Sequence, residues 1–366
     1  MVSRAVVLMA FGLLLACGTP AERARTRVEP PPIAVHPVGI DRRQVTHAAG
    51  DTIITAHPQR IAALAFEDEV LALGFRPCAF ITTFGFTRPY AASALAGSRP
   101  ITPLYGAMEP PLEAVLATSP DLILASGITS SHNRGFSASA PTVVLGESTG
   151  PDSDKRRLRD VAKVLGSESR AEQIISDYES RLREARQLLA KRFRGETVAV
   201  LRVRARKYNL FGAGLTIPVL YDELGLRPPS LVKTLLLDKK RESMVLDPEL
   251  LPDLAVDHLF VIINPQLASD RHTSALEEIS LWKQVLAVVK GQVYYVSQTN
   301  WMSRGIIARS VVADEVVAAL FRQGRFFAPA DSPQARLKHI EAAFENPSPV
   351  TRGQSLSSSW FPHDGL

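Results

Sequence analysis

Three arginines at alternate positions, Arg202, Arg204 and Arg206, follow directly on the apolar run Val198–Leu201. Side chains of an extended strand repeat every second residue, so all three would project from one face. Guanidinium groups held that close repel one another. An anion with paired oxygens, carboxylate or catecholate, would offset the repulsion through bidentate hydrogen bonds. Other apolar runs lead into similar residues: Ile81 and Thr82 into Phe84, Phe86, Arg88 and Tyr90; Leu122–Ala125 into His132, Asn133 and Arg134; Val296 into Trp301 and Arg304. Ligands of open α/β sheets lie beyond the carboxyl ends of the strands, and carboxylates do not cluster in these segments. Arg88, Arg134, Arg202, Arg204 and Arg304 are therefore the expected charge partners of an anionic ligand, with Trp301 and Tyr90 as stacking surfaces. Arg206 ranks below them, at or past the end of the strand. The bland alternative is a solvated basic face.

Rival chemistries are weaker. Gly146-Glu147-Ser148-Thr149-Gly150 matches the nucleophile elbow of serine hydrolases. Pro151 and Asp152 intervene before the next helical pattern, so the sharp strand-to-helix turn is not reproduced, and a hydrolase using Ser148 is a remote alternative. Gly212-Ala213-Gly214 lacks the third glycine of a dinucleotide loop. The eight histidines are scattered without metal-ligand spacing, so neither a bare metal site nor a cofactor is expected.

The elements that must position the arginines come from periodicity. Ile61–Ala65, Leu122–Ala125, Thr142–Leu145, Val198–Val203, His258–Ile263 and Val293–Val296 are apolar throughout, as in parallel strands covered on both faces. Two stretches repeat. Val70–Pro77 matches Tyr221–Pro228, each a short helix closed by Gly74 or Gly225 and stopped by proline. Pro111-Leu112-Glu113 precedes Asp121 and an apolar strand, as Pro248-Glu249 precedes Asp257 and another, with a spacing of eight from Glu to Asp in both. Glu113 and Glu249 would each complement the dipole of a first helical turn. Between the repeats, Ala171, Ile174, Ile175, Tyr178, Leu182, Ala185, Leu189 and Phe193 share one helical face, over a helix of roughly 40 Å. The expected fold is α/β: two Rossmann-like lobes with mainly parallel sheets, joined by one long, rigid backbone helix.

Arg4 and the apolar stretch Ala5–Leu15 read as a cleaved signal, too short to span a bilayer. It ends in Leu14-Leu15-Ala16-Cys17, similar to the lipobox of bacterial lipoproteins, which makes Cys17 the expected acylation site. Residues 1–16 are then the signal peptide and 17–37 a flexible tether. Residues 38–166 form the first lobe with a leading hairpin, 167–194 the connecting helix, 195–327 the second lobe, and 328–366 a largely disordered extension. The one other cysteine, Cys78, reads as a buried core residue. The net charge of +5 suits an anionic ligand or membrane surface, and an extracytoplasmic address disfavours nucleic acid.

His57-Pro58-Gln59-Arg60-Ile61, Leu73–Pro77, Leu112–Val115 with Pro120–Leu124, Ala140–Val144, Leu281-Trp282 with Val289–Tyr294, and Asn300-Trp301 resemble the periplasmic-binding domain of ferric-siderophore and cobalamin importers. Leu201–Arg204 with Lys207, Gly212 and Leu220–Leu226 is most similar to the siderophore-binding lipoproteins. The resemblance runs from about residue 40 to about residue 325; the tail falls outside it. It implies a non-enzymatic, monomeric solute-binding component of an ABC importer, anchored through lipid outside the cytoplasm, which captures an anionic ferric siderophore. Iron would arrive only as a chelate. It adds Lys207 to the ligand site and makes Glu113 and Glu249, one per lobe, the residues that dock onto the membrane permease. Cobalamin or heme is the alternative cargo. Closure is expected to be small, because one continuous helix resists bending.

Overall fold

The computed structural model describes residues 32–81, 95–101, 110–126, 130–146, 150, 152–193, 195–204, 207–263 and 280–321. The chain opens with an antiparallel sheet of β1 (Ala34–Pro37), β2 (Arg42–His47) and β3 (Gly50–Thr55). The expected hairpin thus gains a strand, since Ala34–Pro37 pairs with Arg43–Thr46.

The first lobe is built on β4 (Ile61–Leu64), β5 (Ala79–Ile81), β6 (Arg99–Ile101), β7 (Leu122–Ala125) and β8 (Thr142–Val144). They lie in the order β6-β5-β4-β7-β8, every pairing parallel. Each residue of β4 and β7 is buried, the burial expected of strands with helices on both faces. Those helices are α1 (Glu67–Ala72), α2 (Leu112–Leu116), α3 (Ser130–Ser137) and α4 (Ser153–Leu165). Cys78 is half-buried rather than enclosed, its Sγ 3.6 Å from Thr118 Oγ1.

The second lobe holds β9 (Val198–Arg204), β10 (Lys207–Phe211), β11 (Ser243–Leu246), β12 (His258–Ile263) and β13 (Val293–Ser297), in the order β11-β10-β9-β12-β13. Here the sheet is mixed. β12 runs parallel to β9 and β13, but β10 is antiparallel to β9 and β11. Only two residues separate β9 from β10, and so short a connection permits antiparallel pairing alone. The second lobe also carries the short helices α6 (Ser230–Val232), α7 (Leu286–Val289) and α8 (Gln298–Trp301).

The repeat read from the sequence has a physical basis. Asp121, just before β7, accepts the backbone N–H of Gln59 and Arg60 at 2.8 and 2.9 Å, ahead of β4. Asp257, just before β12, accepts the backbone N–H and hydroxyl of Thr197 at 2.8 and 2.9 Å, ahead of β9. In each lobe one carboxylate therefore clamps the entry of the strand beside it. Gly74 and Gly225, with φ of 90° and 71°, turn the chain at matching points; only glycine adopts that conformation without cost.

The lobes are fused by α5 (Glu168–Arg192), 25 residues long, and α9 (Ile306–Phe321). α5 buries Ala171, Ile174, Ile175, Tyr178, Leu182 and Leu189. One apolar cluster runs through both lobes, joining Ile61, Val70 and Leu122 of the first to Val200, Phe260 and Val316 of the second. α9 packs on α1, α4 and α5, and its buried Arg309 links three parts of the chain. Nε donates to Asp154 of α4, while Nη1 donates to Glu223 Oε1 at 2.8 Å. Glu223 also accepts the hydroxyl of Tyr178 from α5. Burial lowers the pKa of the Arg309 guanidinium, but Asp154 and Glu223 outweigh burial and raise it above the ordinary arginine value. At the start of α9, Asp68 of α1 accepts the N–H groups of Ile307 and Ala308 at 3.0 and 3.1 Å. Gly305 makes room for that cap: with φ of 108°, a Cβ there would lie 2.2 Å from the Asp68 carboxyl carbon.

Replacing Arg309 with leucine leaves the buried carboxylate of Asp154 and the partly buried one of Glu223 without their cation. The expected loss of stability is about 3–5 kcal/mol, measured as a fall in the urea midpoint; an unchanged midpoint would contradict this description of the junction.

Candidate ligand site

The arginine pair is set by strand register. Arg202 and Arg204, two apart on β9, share a face. Across the antiparallel pairing, Arg202 lies opposite Asn209 and Arg204 opposite Lys207, and Asn209 in turn lies opposite Val245 of β11. Residues directly opposite in an antiparallel pair point to the same side. Three cations and an amide thus occupy one face of the hairpin, where β9 runs past the core. The other face is apolar, with Leu201, Val203, Tyr208, Leu210 and Leu246 buried in the core of the second lobe.

Arg202 is the most constrained of the three. Its Nε and Nη2 both donate to Oε1 of Gln298, at 3.1 and 2.7 Å, and Gln298 is the first residue of α8, directly after β13. Burial, followed by the like charge of Arg204, lowers the pKa of Arg202 below the ordinary arginine value. Both causes act against the charged form, and a bound anion acts in its favour. Arg204 and Lys207 are exposed.

Arg134 lies exposed in the last turn of α3, which follows β7, and Arg304 lies half-buried between α8 and α9. Both come after the carboxyl end of a parallel strand, as expected. Arg88, Tyr90, Arg206, Ser148 and Cys17 lie outside the described residues. The helix after Ser148 is α4, which begins only at Ser153, too far on for a nucleophile elbow. Glu113 is exposed in the first turn of α2. Glu249 is exposed on the helical turn Pro248–Leu250, its own N–H bound by Asp247 at 3.1 Å.

Trp301 departs from expectation. It is fully buried, at 0% exposure, and offers no face to a ligand. Its ring stacks on Phe260 with centroids 5.1 Å apart, and its Nε1 donates to Glu315 Oε2 of α9 at 2.6 Å. The cause is local. Ser297 caps α8, its hydroxyl accepting from Thr299 N, so the helix starts as soon as β13 ends. One turn later Trp301 faces the interior, while Gln298 meets Arg202. Gln298 and Asn209 are the site residues missed from sequence. For Gln298 the Ser297-x-Thr299 cap was the available signal; for Asn209 it was the alternation of Lys207–Phe211.

A cavity of about 200 Å3 lies at the opposite end of this sheet, near the starts of β12 and β13, beside His258, Tyr294, Glu196 and Gln292. His258 Nδ1 is 3.0 Å from the Tyr294 hydroxyl, and its Nε2 is 3.3 Å from Glu196. Those contacts satisfy buried polar groups, and the cavity is remote from the arginine face. Among the described residues no three His, Cys, Asp or Glu side chains are grouped to hold a metal ion. No helix among them is long and apolar enough to cross a membrane.

Two α/β lobes of one plan, fused by a long helix and bearing cations beyond the carboxyl ends of their strands, define a solute-binding protein. The chain belongs to the periplasmic binding protein family, whose profile matches residues 87–299, more than half of its 366 residues. A probable siderophore-binding lipoprotein of Bacillus subtilis, YfiY, is 24% identical over 323 residues, covering 85% of this chain and 95% of its own. Among solved structures, Staphylococcus aureus SirA complexed with staphyloferrin B matches with a TM-score of 0.63 at 21% identity, over 76% of this chain and 98% of that one. The petrobactin-binding protein YclQ of Bacillus subtilis matches with a TM-score of 0.63 at 20% identity, over 77% and 99%. The two structures share the fold.

Proposed function

We propose that this protein captures an anionic ferric-siderophore complex between its lobes and delivers it to the permease of an ABC importer. One observation carries the reading: Arg202, Arg204 and Lys207 share one face at the strand ends, and burial and mutual repulsion disfavour the charge of Arg202. An anion reverses that disfavour. The named relatives and neighbours, which bind siderophores by their descriptions, support the class of cargo. Arg134 and Arg304, and Arg88 with Tyr90 from the preceding lobe, complete the proposed set. Iron comes within its chelator, so the protein needs no cofactor of its own and carries no catalytic group. The burial of Trp301 removes one aromatic surface from the site and weighs against cobalamin or heme as cargo. Acylation of Cys17 would tether a monomer to the outer surface of the membrane, with the residues ahead of β1 as leash. The tether is shorter than the expected 17–37, because Ala34–Pro37 pairs as a strand.

Fluorescence-quench titration against ferric catecholate, citrate and hydroxamate chelates, cobalamin and heme tests the cargo. An anionic ferric chelate is expected to bind most tightly. The double change Arg202→Ala and Arg204→Ala should weaken it by on the order of a hundredfold, from about 1.5 kcal/mol per charged hydrogen-bond donor. Unchanged affinity, or preferential binding of cobalamin or heme, would refute the proposal.

Glu113 and Glu249 occupy equivalent, exposed points of the two lobes, which suits a permease surface that meets both at once. With both changed to alanine, chelate affinity should stay at the wild-type value while cellular uptake is lost. Normal uptake by that variant rules out docking through these residues.

A further inference from the structure

α8 has only four residues, too few to hold itself as a helix. One carboxylate takes two of the bonds that hold it. Glu315 Oε1 accepts from Asn300 Nδ2 at 2.8 Å, and Oε2 accepts from Trp301 Nε1 at 2.6 Å. Thr216 adds a bond from its hydroxyl to the Trp301 carbonyl, 2.7 Å. At the other end of the same turn, Gln298 Oε1 receives two donors from Arg202. Glu315 thus anchors the inner end of the helix whose outer end aims the guanidinium.

We propose that Glu315 is a positioning residue of the ligand site, which locks α8 and through Gln298 fixes the direction in which Arg202 presents its donors to an anion. The inference rests on the ligand role of Arg202. It gives the interaction a dependence on pH. An ionised carboxylate accepts at both oxygens, whereas a protonated one turns a hydroxyl towards one of the two N–H groups. Burial pushes the Glu315 carboxyl up to about 7, against the pull of the bonds from Trp301 and Asn300 and with a further push from Asp314. It therefore takes up a proton just below neutrality, and the hold on α8 loosens there. Several charged groups on the elements packed around α9 have partners of their own. Arg181 of α5 pairs with Asp314 at 3.0 Å, and Arg157 of α4 with Glu69 of α1 at 2.7 Å. Asp154 and Glu223 hold Arg309, and Asp68 caps α9. Glu67 of α1 and Asp222 of the helical turn Val219–Glu223 are the remaining acids of these two elements. α8 contributes no titratable side chain.

The test titrates Fe(III) citrate and an Fe(III) tris-catecholate into wild type, Glu315→Gln, Gln298→Ala and Arg202→Ala at about pH 6 and about pH 8. At the higher pH, Glu315→Gln and Gln298→Ala should each bind about tenfold more weakly, the loss expected of one charge-assisted hydrogen bond. Wild type should weaken towards the lower pH and meet the Glu315→Gln curve, which stays flat. Wild-type affinity and pH slope in Glu315→Gln, with binding lost in Arg202→Ala, overturns the positioning role alone. Normal binding by Arg202→Ala sinks the ligand reading beneath it. A ligand-free measurement covers the remaining cases. The Arg202 Nε–H resonance should move with a midpoint of about 7 in wild type and stay still in Glu315→Gln. Should that variant not fold, Trp301→Phe removes one of the two donors that hold the Glu315 carboxyl down and should move the same transition to higher pH. An unmoved midpoint would contradict the proposal. A resonance indifferent to pH in wild type contradicts the proposal.

Discussion

Arg309 is the constraint on which the rest of the architecture depends. One buried guanidinium reaches Asp154 from the first lobe and Glu223 from the second, and Glu223 is shared with Tyr178 of the connecting helix. Buried charges are tolerated only when paired and hydrogen-bonded, so these groups demand one relative placement of the lobes. The cap of Asp68 on α9 and the apolar cluster running through both lobes fix the same placement. A hinge would have to break all three. The fold therefore keeps its two sheets in one relation, so that the cost of ordering a site built on them is met before a ligand arrives.

A fixed pair of strands can hold groups that would not gather by themselves. Arg202 and Arg204 repel, and burial adds to the penalty on Arg202, yet backbone pairing between β9 and β10 keeps them on one face. Gln298 directs Arg202 without neutralising it. Glu315 shows the same tension between stability and function. Its carboxyl is raised in the folded protein from 4.5 to about 7. Its contribution to stability is thus present below about pH 4.5 and lost as the pH rises towards 7. The ionised form that grips α8 is the form that burial disfavours.

Local patterning carried much of this into the sequence. The alternation of Arg202 and Arg204 after an apolar run, the helical stripe of α5 and the paired Glu–Asp spacings all rest on periods of two, on periods of three to four, or on short offsets. Each corresponds to an element of the structure. What stayed hidden is nonlocal or depends on a turn. The Arg309–Asp154 and Arg309–Glu223 contacts join residues 155 and 86 positions apart; the apolar run Ile306–Ala313 around Arg309 marks it as enclosed but does not name its partners. The reversal at β10 makes the second sheet mixed, and the sequence from Val198 to Phe211 reads equally well as continuous strand. Trp301 misled because an aromatic near a strand end can face either way. The cap at Ser297 decided its direction.

The most direct test is a crystal structure of the mature protein with an anionic ferric chelate bound. Expected are chelate oxygens within hydrogen-bonding distance of Arg202 and Arg204, with Arg309 still joining Asp154 to Glu223. A chelate seated away from that face, or a junction rearranged to admit it, would contradict a fixed cationic mouth.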